Sequence, residues 1–278
     1  MDKMKFGVCP LNLVPLRAEA SHKSEMVSQL LFAETFKILN YTNEWLFIET
    51  DYDQYTGWVV NNQVMLLNEA NYVNIVQNVH HHSTEIVSTA KALYKESPVL
   101  MGSALPFYNQ KQFSFFDDKY RFDGNTVDIY TMVPTEDSIK DIALKYMNAP
   151  YLWGGKTPLG VDCSGFTQMV FKLNGIKIPR DSSQQAQNGI LIDNIRDAQT
   201  GDLAFFNNEN NQIIHVGLLL NNNQIIHAHG KVRIDSINTD GIYNNDISKI
   251  THTLSHIKRF FNTFTPKSDD QLQKEKTF

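Results

Sequence analysis

The sequence predicts an α+β protein in which two small all-β barrels precede a domain that mixes helices and strands. Short runs of β-branched and aromatic residues, separated by polar turns, recur from the amino terminus to about residue 130. Helical periodicity begins only after residue 134, and strand-like segments follow a second helix. These three observations divide the chain into residues 1–63, 64–134 and 135–263, with a polar tail at 264–278.

The amino-terminal half is predicted to be β structure. Its clearer strands lie at residues 35–39, 44–50 and 57–60, and turn-forming residues such as Asn40 and Asp53 separate them. A second set of strands is predicted at residues 92–94, 113–116 and 127–130. No strict repeat relates the two sets, but their spacing suits two small barrels.

The pattern changes to α+β at residues 134–138. Thr135 is a good helix N-cap and acidic residues follow it in the first turn. A second helix is predicted from about residue 163 to 174 and ends at Gly175. Strands are then predicted at residues 202–206, 213–220, 224–229 and 255–260.

Composition and charge exclude several classes of function. The apolar content of 42% is enough for a full hydrophobic core. The formal net charge of −5 argues against a general binder of nucleic acid or of an anionic membrane. No apolar run approaches the roughly 20 residues that span a bilayer. Residues 1–10 contain no sustained apolar stretch, so a cytoplasmic location is expected.

Cys163 is the candidate nucleophile. It follows a loop rich in glycine and proline and begins an apolar helix, where unpaired N–H groups and the helix dipole stabilise a thiolate. The other cysteine, Cys9, stands beside Pro10 without such a helix, and two distant thiols do not form a disulfide framework. The alternative is that Cys163 is a small buried hydrophobe, as free cysteines often are.

A β-hairpin after this helix supplies the candidate base. The turn at residues 221–223 joins two strands, one with His215 and one with His227. A three-residue turn would place both rings on one face of the sheet, whereas a two- or four-residue turn would place His215 on the other face. On one face, His215 could act as the base and His227 could orient it, although a single strand histidine is more often a core residue.

Five segments together resemble the NlpC family of papain-like peptidoglycan peptidases. They occur in family order and the resemblance covers about residues 135–261: YLWGG at 151–155, DCSGF at 162–166, PRDSSQ at 179–184, GDLAFF at 201–206 and HVG at 215–217. The resemblance implies a papain-like catalytic domain, and the amino-terminal β units look like the bacterial SH3-like domains of many members. The combination is most similar to the γ-D-glutamyl-L-diamino acid endopeptidases, also called dipeptidyl-peptidase VI.

The resemblance also implies catalytic roles. Cys163 would attack the scissile carbonyl and His215 would take and return the proton. His227 would occupy the third triad position. Tyr151 and the backbone N–H of Cys163 would form the oxyanion hole.

A second group of residues is expected to bind substrate. Asp181 and Ser182 match the family segment that binds the free amine of L-Ala, and Asp162 and Ser164 flank the nucleophile in the pocket. An alternative for Asp181 is that it only caps the helix that follows. Glu34 and Tyr55 are the candidates for a wall that the first SH3-like domain contributes.

Metal and cofactor chemistry is not expected. The run of three histidines at residues 80–82 looks like a metal-binding tract, but an exposed loop is the favoured interpretation. A zinc site built from Cys163, His215 and His227 is chemically possible, yet the helix-start cysteine fits nucleophilic catalysis better. The two glycines after Trp153 are not followed by the lysine of a phosphate-binding loop.

The sequence therefore predicts a cysteine peptidase that hydrolyses the γ-D-Glu–diamino acid bond of murein peptides with a free N-terminal L-Ala. It would form a thioester on Cys163, need no cofactor, bind no nucleic acid and recycle wall fragments in the cytoplasm. Two alternatives are a non-catalytic peptidoglycan-binding protein and an amidase or acyltransferase on the same fold. Permuted relatives place histidine before cysteine, and the order here favours a peptidase.

Overall fold

The structure is a computed structural model that describes residues 4–261. The predicted polar tail at 264–278 lies outside the described residues. The chain forms two amino-terminal β units and a carboxy-terminal α+β unit, each with its own hydrophobic cluster. The exact division into domains stays a prediction.

The first unit is an antiparallel sheet with the strand order β3-β2-β6-β5-β4-β1-β7. Its strands are β1 (Phe6–Val8), β2 (Leu13–Arg17), β3 (Met26–Leu31), β4 (Thr35–Tyr41), β5 (Trp45–Thr50), β6 (Thr56–Val60) and β7 (Met65–Leu67), with a 3-10 helix at Asn61–Gln63. Alternate residues of β2 and β5 are buried, including Val14, Leu16 and Ile48, so the sheet curls around one core. Since β7 pairs with β1, residues 65–67 belong to this sheet.

The second unit begins with a short helix that the sequence pattern did not predict. Asn68 caps it, because its side chain accepts a hydrogen bond from the backbone N–H of Asn71. Two small sheets follow, in the orders β10-β9-β13-β12 and β11-β8-β14. The elements are α1 (Glu69–Gln77), β8 (His81–Ser83), β9 (Val87–Lys91), β10 (Glu96–Leu100), β11 (Ala104–Leu105), β12 (Gln112–Phe115), β13 (Asp118–Phe122) and β14 (Thr126–Asp128).

Two sequence expectations in this unit are wrong. Residues 92–94 are not a strand but the tip of the β9–β10 hairpin, where Leu93 and Tyr94 are 84% and 92% exposed. The apolar side chains of Leu93 and Tyr94 had suggested a strand, yet they project into solvent. The histidine tract is not an exposed loop, because β8 carries two of its members and His82 is buried.

The third unit begins with the predicted helix. Thr135 caps α2 (Glu136–Leu144), and the Ser138 hydroxyl accepts a hydrogen bond from the Thr135 backbone N–H. Helix α3 (Cys163–Lys172), which begins at the candidate nucleophile, is buried along its whole length, and Gly175 follows it with a φ of +71°. A single-turn helix, α4 (Ser182–Gln185), comes next. Helix α3 packs against the central strands of the sheet described below.

A seven-stranded antiparallel sheet completes the third unit in the order β17-β23-β18-β19-β20-β21-β22. The short β15 (Lys156–Thr157) and β16 (Gly160–Val161) precede it, and its strands are β17 (Ile190–Ile192), β18 (Leu203–Asn207), β19 (Ile213–Asn221), β20 (Gln224–His229), β21 (Lys231–Ile237), β22 (Gly241–Asn244) and β23 (Lys249–Arg259), with a 3-10 helix at Ile195–Asp197. One half of the long β23 pairs with β18 and the other half with β22, so the sheet closes on itself.

The β19–β20 hairpin places His215 and His227 on one face of the sheet, but its turn differs from the predicted three-residue turn. Its turn contains two residues, because Asn221 pairs with Gln224. A two-residue turn alone would put His215 on the wrong face. A register shift between Leu219 and Asn221 leaves Leu220 as an extra residue, and pairing continues with Leu218 opposite Ile226. The bulge restores the parity that a three-residue turn would have given.

The first β unit packs against one polar face of α3. Ser164, Gln168 and Lys172 are spaced by four residues and therefore share that face. Gln168 donates to Asp53 at 2.8 Å, and Lys172 forms an ion pair with Glu34 at 2.6 Å. The ammonium group of Lys156 lies 3.4 Å from the same Glu34 carboxylate. All three ionic side chains of this cluster are at least nine-tenths buried.

We expect Glu34→Gln to lower the free energy of unfolding by about 3–5 kcal/mol, because it leaves two buried ammonium groups without their counter-charge. Chemical denaturation monitored by circular dichroism measures this. The matched control is Glu96→Gln, which breaks an exposed ion pair with Lys91 and should cost about 0.2–1 kcal/mol. Equal losses of unfolding free energy in the two variants would contradict the conclusion that Glu34, Lys156 and Lys172 form a buried ionic cluster.

Candidate active site

Cys163 is the first residue of α3, and Asp162 is the N-cap. The Asp162 carboxylate accepts hydrogen bonds from the backbone N–H groups of Gly165 at 2.7 Å and Gly154 at 2.8 Å. It thereby ties the helix start to the preceding loop. The N–H of Cys163 is one of the first-turn groups that have no acceptor within the helix, so it is a potential donor to a bound substrate.

The buried guanidinium of Arg180 holds this helix start in place. It donates to both carboxylate oxygens of Asp162, at 2.6 and 3.0 Å, and to the hydroxyl of Ser164 at 2.9 Å. It also donates to Ser28 of the first β unit at 3.2 Å. The predicted pocket residues Asp162 and Ser164 therefore flank the nucleophile, but their side chains are engaged by Arg180. Sequence reasoning assigned no role to Arg180, although its position beside Asp181 in a recognised segment was the available signal.

Cys163 is 6% exposed, and its helix packs against β19. The backbone of Val216 and Ser164 lowers the pKa of this thiol, so the sulfur lies near the residue that follows His215. Burial raises the pKa of the Cys163 thiol to about 12, and the Asp162 charge adds to this, against the lowering effects of the two backbone hydrogen bonds and Arg180. The helix start alone had predicted a stabilised thiolate. In the free site burial outweighs it, which favours the neutral thiol.

His215 and His227 are in direct contact on one face of the sheet. Nε2 of His215 lies 2.9 Å from Nδ1 of His227. Because this contact uses Nε2 of His215, Nδ1 is the ring nitrogen that remains to exchange a proton with Cys163. The arrangement is the one expected of a base and the residue that orients it.

Further rings surround the candidate base. His252 of β23 stacks on His215 with ring centroids 4.2 Å apart, while Phe206 and His229 contact it from β18 and β20. Burial holds the pKa of His215 well below its usual range, and the neighbouring histidines act in the same direction. His215 is therefore a neutral imidazole at neutral pH, which is the form that accepts a proton.

Tyr151 lies beside the nucleophile. Its backbone N–H donates to the carbonyl of Gly230 at 3.0 Å, and its own position pairs with Val161. Burial raises the pKa of the Tyr151 hydroxyl, and the negative charges of an ionised Cys163 and of Asp162 act in the same direction. The phenol thus keeps its proton and can donate a hydrogen bond to an oxyanion.

Asp181 is not an ordinary helix cap. It precedes α4, but its side chain makes no capping hydrogen bond, and instead its carboxylate accepts one from the Tyr55 hydroxyl at 3.1 Å. Burial raises the pKa of Asp181, whereas Tyr55 and Arg180 lower it. Ser182, half-buried, is the first residue of α4. The structure therefore brings the predicted Tyr55, Asp181 and Ser182 together across the boundary between the first and third units.

Glu34 requires a correction, because the structure does not bring it to this site. Its carboxylate forms ion pairs with Lys156 and Lys172 and accepts a hydrogen bond from the backbone N–H of Leu31. Another acidic residue of the first β unit does reach the loop before Cys163: Glu25 accepts a hydrogen bond from the indole of Trp153. The resemblance that suggested Glu34 could not distinguish these two carboxylates.

The loop before the nucleophile approaches the first β unit closely. Gly154 has a φ of +77°, and a side chain there would place its Cβ 2.2 Å from the carbonyl oxygen of Met26. The glycine is needed for this close approach, not for a phosphate. Within residues 4–261, no group of three or more His, Cys, Asp or Glu side chains is arranged to hold a metal ion.

Comparison with known families matches two parts of the chain. Residues 148–251 match the NlpC/P60 family, and residues 16–64 match the bacterial dipeptidyl-peptidase SH3 domain. The first match contains Cys163, His215 and His227, and the second contains Tyr55.

Curated relatives match different shares of the chain. A γ-D-glutamyl-L-lysine dipeptidyl-peptidase of Bacillus cereus is 36% identical over 113 residues, which is 39% of this chain and 34% of the relative. The match thus spans about a third of that relative's length. Dipeptidyl-peptidase 6 of Lysinibacillus sphaericus is 26% identical over 257 residues, which cover 84% of this chain and 92% of the relative.

A solved structure shares the whole arrangement. The crystal structure of an NlpC/P60 family protein from Bacillus cereus superposes with a TM-score of 0.78 at 18% identity, covering 92% of this chain and 99% of that one. This similarity supports the fold, with both amino-terminal β units and the papain-like third unit.

No helix within the described residues is long and apolar enough to cross a membrane.

We expect iodoacetamide to alkylate Cys163 with a rate that rises about tenfold per pH unit between pH 6 and 9, because the neutral thiol has a pKa far above that range. Mass spectrometry of the labelled peptide gives the rate, and Cys163→Ser reports the background from the buried Cys9. A pH-independent rate from pH 5 to 8 would instead indicate a resting thiolate–imidazolium pair.

Proposed function

We propose that the chain is a cysteine peptidase of cell-wall peptides, because a bacterial dipeptidyl-peptidase SH3 domain is followed along the chain by an NlpC/P60 domain. It hydrolyses the γ-D-Glu–diamino acid bond of short murein peptides whose N-terminal L-Ala is free. The observation that carries the proposal is the Tyr55–Asp181 hydrogen bond of 3.1 Å. It sets a carboxylate without a helix-capping role at the boundary between the two domains.

The names of the relatives support the scissile bond. The Bacillus cereus relative is named for the γ-D-glutamyl-L-lysine bond, and the relative with 92% coverage is named a dipeptidyl-peptidase. A dipeptidyl-peptidase cuts after the second residue and so must recognise the peptide's amino terminus. The resemblance of Asp181 and Ser182 to an amine-binding segment fits that requirement.

The electrostatics of the pocket favour an ammonium ligand. Burial raises the pKa of Asp181, so the carboxylate is poorly solvated, and an ammonium group would supply charge-assisted hydrogen bonds. Such a bond contributes about 1.5–3 kcal/mol, or roughly ten- to a hundredfold in affinity. Tyr55 closes this end of the site, which favours a chain that begins there over one that continues.

Acylation begins with the neutral pair. Sγ of Cys163 attacks the γ-carbonyl carbon of D-Glu while the thiol proton moves to Nδ1 of His215. The Tyr151 hydroxyl and the Cys163 N–H donate to the oxygen that becomes negative. When the C–N bond breaks, the diamino acid leaves as an amine and takes the proton from His215. A thioester of L-Ala-γ-D-Glu remains on Cys163.

Deacylation reverses the proton transfers. His215 accepts a proton from water, whose oxygen attacks the thioester carbon, and the oxyanion again meets Tyr151 and the Cys163 N–H. The C–S bond breaks, the thiolate regains the proton from His215, and the dipeptide L-Ala-γ-D-Glu leaves. No cofactor enters these steps.

The finer cellular role extends the proposal. A substrate with a free N-terminal L-Ala exists only after the peptide has been separated from the glycan, so the enzyme acts on released fragments and contributes to their recycling. The cytoplasmic location expected from the sequence stays a prediction, which fractionation of cells with an antibody against the chain can test.

We expect Cys163→Ala to abolish turnover of L-Ala-γ-D-Glu-diaminopimelate, because no other group can form the thioester. Liquid chromatography with mass spectrometry measures the products, and calorimetry measures peptide binding, which should survive. The matched control is Cys9→Ala, since Cys9 is the second cysteine and is buried in the first β unit. Turnover that persists in Cys163→Ala would reject the proposed function.

We expect Asp181→Asn to raise KM for the free-amine peptide about 10- to 100-fold with little change in kcat, because the counter-charge of the ammonium group is lost. The N-acetylated peptide should be a poor substrate for both proteins. Asp193→Asn, which removes a carboxylate at an exposed position, is the matched control. If wild-type enzyme cleaves both peptides equally well, Asp181 does not bind the amine.

A further inference from the structure

The ring of His227 has a second partner, on the side away from His215. Its Nε2 lies 3.0 Å from Oδ2 of Asp235, and the side chains of both residues are at most 1% exposed. In the β20–β21 ladder Arg233 is opposite His227 and Asp235 is opposite Ile225. Asp235 is therefore the diagonal neighbour of His227 on the same face of the sheet.

Arg233 fixes the Asp235 carboxylate. Its Nε donates to Oδ2 at 2.7 Å and its Nη2 donates to Oδ1 at 2.8 Å, so the contact is bidentate. The same guanidinium reaches Asp246 at 2.8 Å and Asn244 at 3.2 Å. Burial alone would raise the pKa of Asp235, but the hydrogen bonds from His227 and Arg233 outweigh it and lower the pKa to about 2.

These contacts determine which ring nitrogens carry protons. An ionised carboxylate only accepts hydrogen bonds, so Nε2 of His227 must be the protonated nitrogen. In the neutral ring Nδ1 of His227 is then an acceptor, and Nε2 of His215 must donate to it across 2.9 Å. The remaining nitrogen, Nδ1 of His215, consequently has a lone pair.

We propose that Asp235 is a positioning residue that sets the tautomer of His215 through His227. The proposal rests on the proposed function, in which Nδ1 of His215 must be bare to accept the Cys163 proton. Asp235 touches neither the substrate nor the thiol. The inverted tautomer would place a proton on Nδ1, and His215 would then have no lone pair on that nitrogen to accept the thiol proton.

The same chain of contacts helps to accommodate the charge that forms during the reaction. When the thiol proton reaches Nδ1, His215 becomes an imidazolium, and its Nε2 proton points at His227. Two oriented donors then connect the new positive charge to the Asp235 carboxylate. In serine peptidases with a comparable carboxylate, changing Asp to Asn lowers kcat about 10⁴-fold through the wrong tautomer.

The groups around His227 define the expected pH dependence. His215 and His229 contact it from β19 and β20, His252 from β23, and Asp235 with Arg233 from β21. Of these only Asp235 is negative. Removing its charge should make protonation of the histidine pair harder, which moves the acid limb of kcat/KM to lower pH.

Nitrogen-15 NMR of histidine-labelled protein tests the tautomers directly. In the wild-type protein we expect both His215 and His227 to be protonated on Nε2, with resonances assigned through His215→Asn and His227→Asn. A wild-type spectrum with either ring protonated on Nδ1 would overturn the proposal. This measurement needs no turnover and no Asp235 variant that folds.

Kinetics of Asp235→Asn supply the second test. We expect kcat to fall about 10²- to 10⁴-fold with KM within a factor of about three, the acid limb to move to lower pH, and the Nε2–H form of His215 to decrease. Asp246→Asn is the matched control, because it removes a carboxylate from the same arginine at an exposed position and should retain wild-type kcat.

Two outcomes separate the proposals. A fall in kcat with an unchanged acid limb and unchanged tautomers would assign Asp235 a purely structural role and overturn the inference. Absence of wild-type turnover on every murein peptide would instead reject the proposed function, while the tautomer spectra would still decide whether Asp235 orients the two rings.

Discussion

The guanidinium of Arg180 and the carboxylate of Asp162 form a buried ion pair on which the position of the nucleophile depends. A buried ion pair stabilises a structure only when its remaining donors and acceptors are satisfied. Here Asp162 also accepts the backbone N–H groups of Gly154 and Gly165, and Arg180 reaches Ser28 in the first β unit. The start of the nucleophile helix, the loop before it and the neighbouring domain are therefore held by the same few charges. The amino-terminal β unit contributes to the site as a structural element as well as a wall.

Burial favours the uncharged form of both Cys163 and His215 in the free protein. The Asp162 charge beside the thiol is paired with Arg180, and the other carboxylates of the site are Asp181 at the domain boundary and Asp235 behind the two imidazoles. A neutral pair avoids the desolvation cost of a buried ion pair in the absence of substrate. Charge separation then occurs when the substrate carbonyl is present to accept hydrogen bonds as an oxyanion. Asp181 would meet the substrate's ammonium group, and Asp235 the imidazolium that forms later.

The sequence predicted those features whose cause is local. Helix α3 and the β19–β20 hairpin follow from periodicity and turn residues that lie within each segment, and the family segments contain Cys163 and His215 themselves. The strand predicted at residues 92–94 is wrong because apolar composition does not reveal whether a hairpin tip is covered. Glu34 and Asp235 show two limits at the level of the site. Which lysines surround Glu34 depends on how distant strands and helices pack, and no spacing within the chain contains that information. Asp235 lies on β21, directly after β20, but the sequence pattern did not predict that strand, so its diagonal position to His227 was not assigned.

The bulge at Leu220 has a consequence for how this hairpin can change during evolution. Two local irregularities, a tight turn and one surplus residue, cancel each other, and the imidazole of residue 215 faces its partner only because they do. After deletion of a single residue from this segment, the sheet could keep either its ladder of backbone hydrogen bonds or the orientation of residue 215, but not both. Insertions or deletions of two residues preserve the alternation of faces. Among related sequences, the length of this hairpin should therefore differ by even numbers of residues.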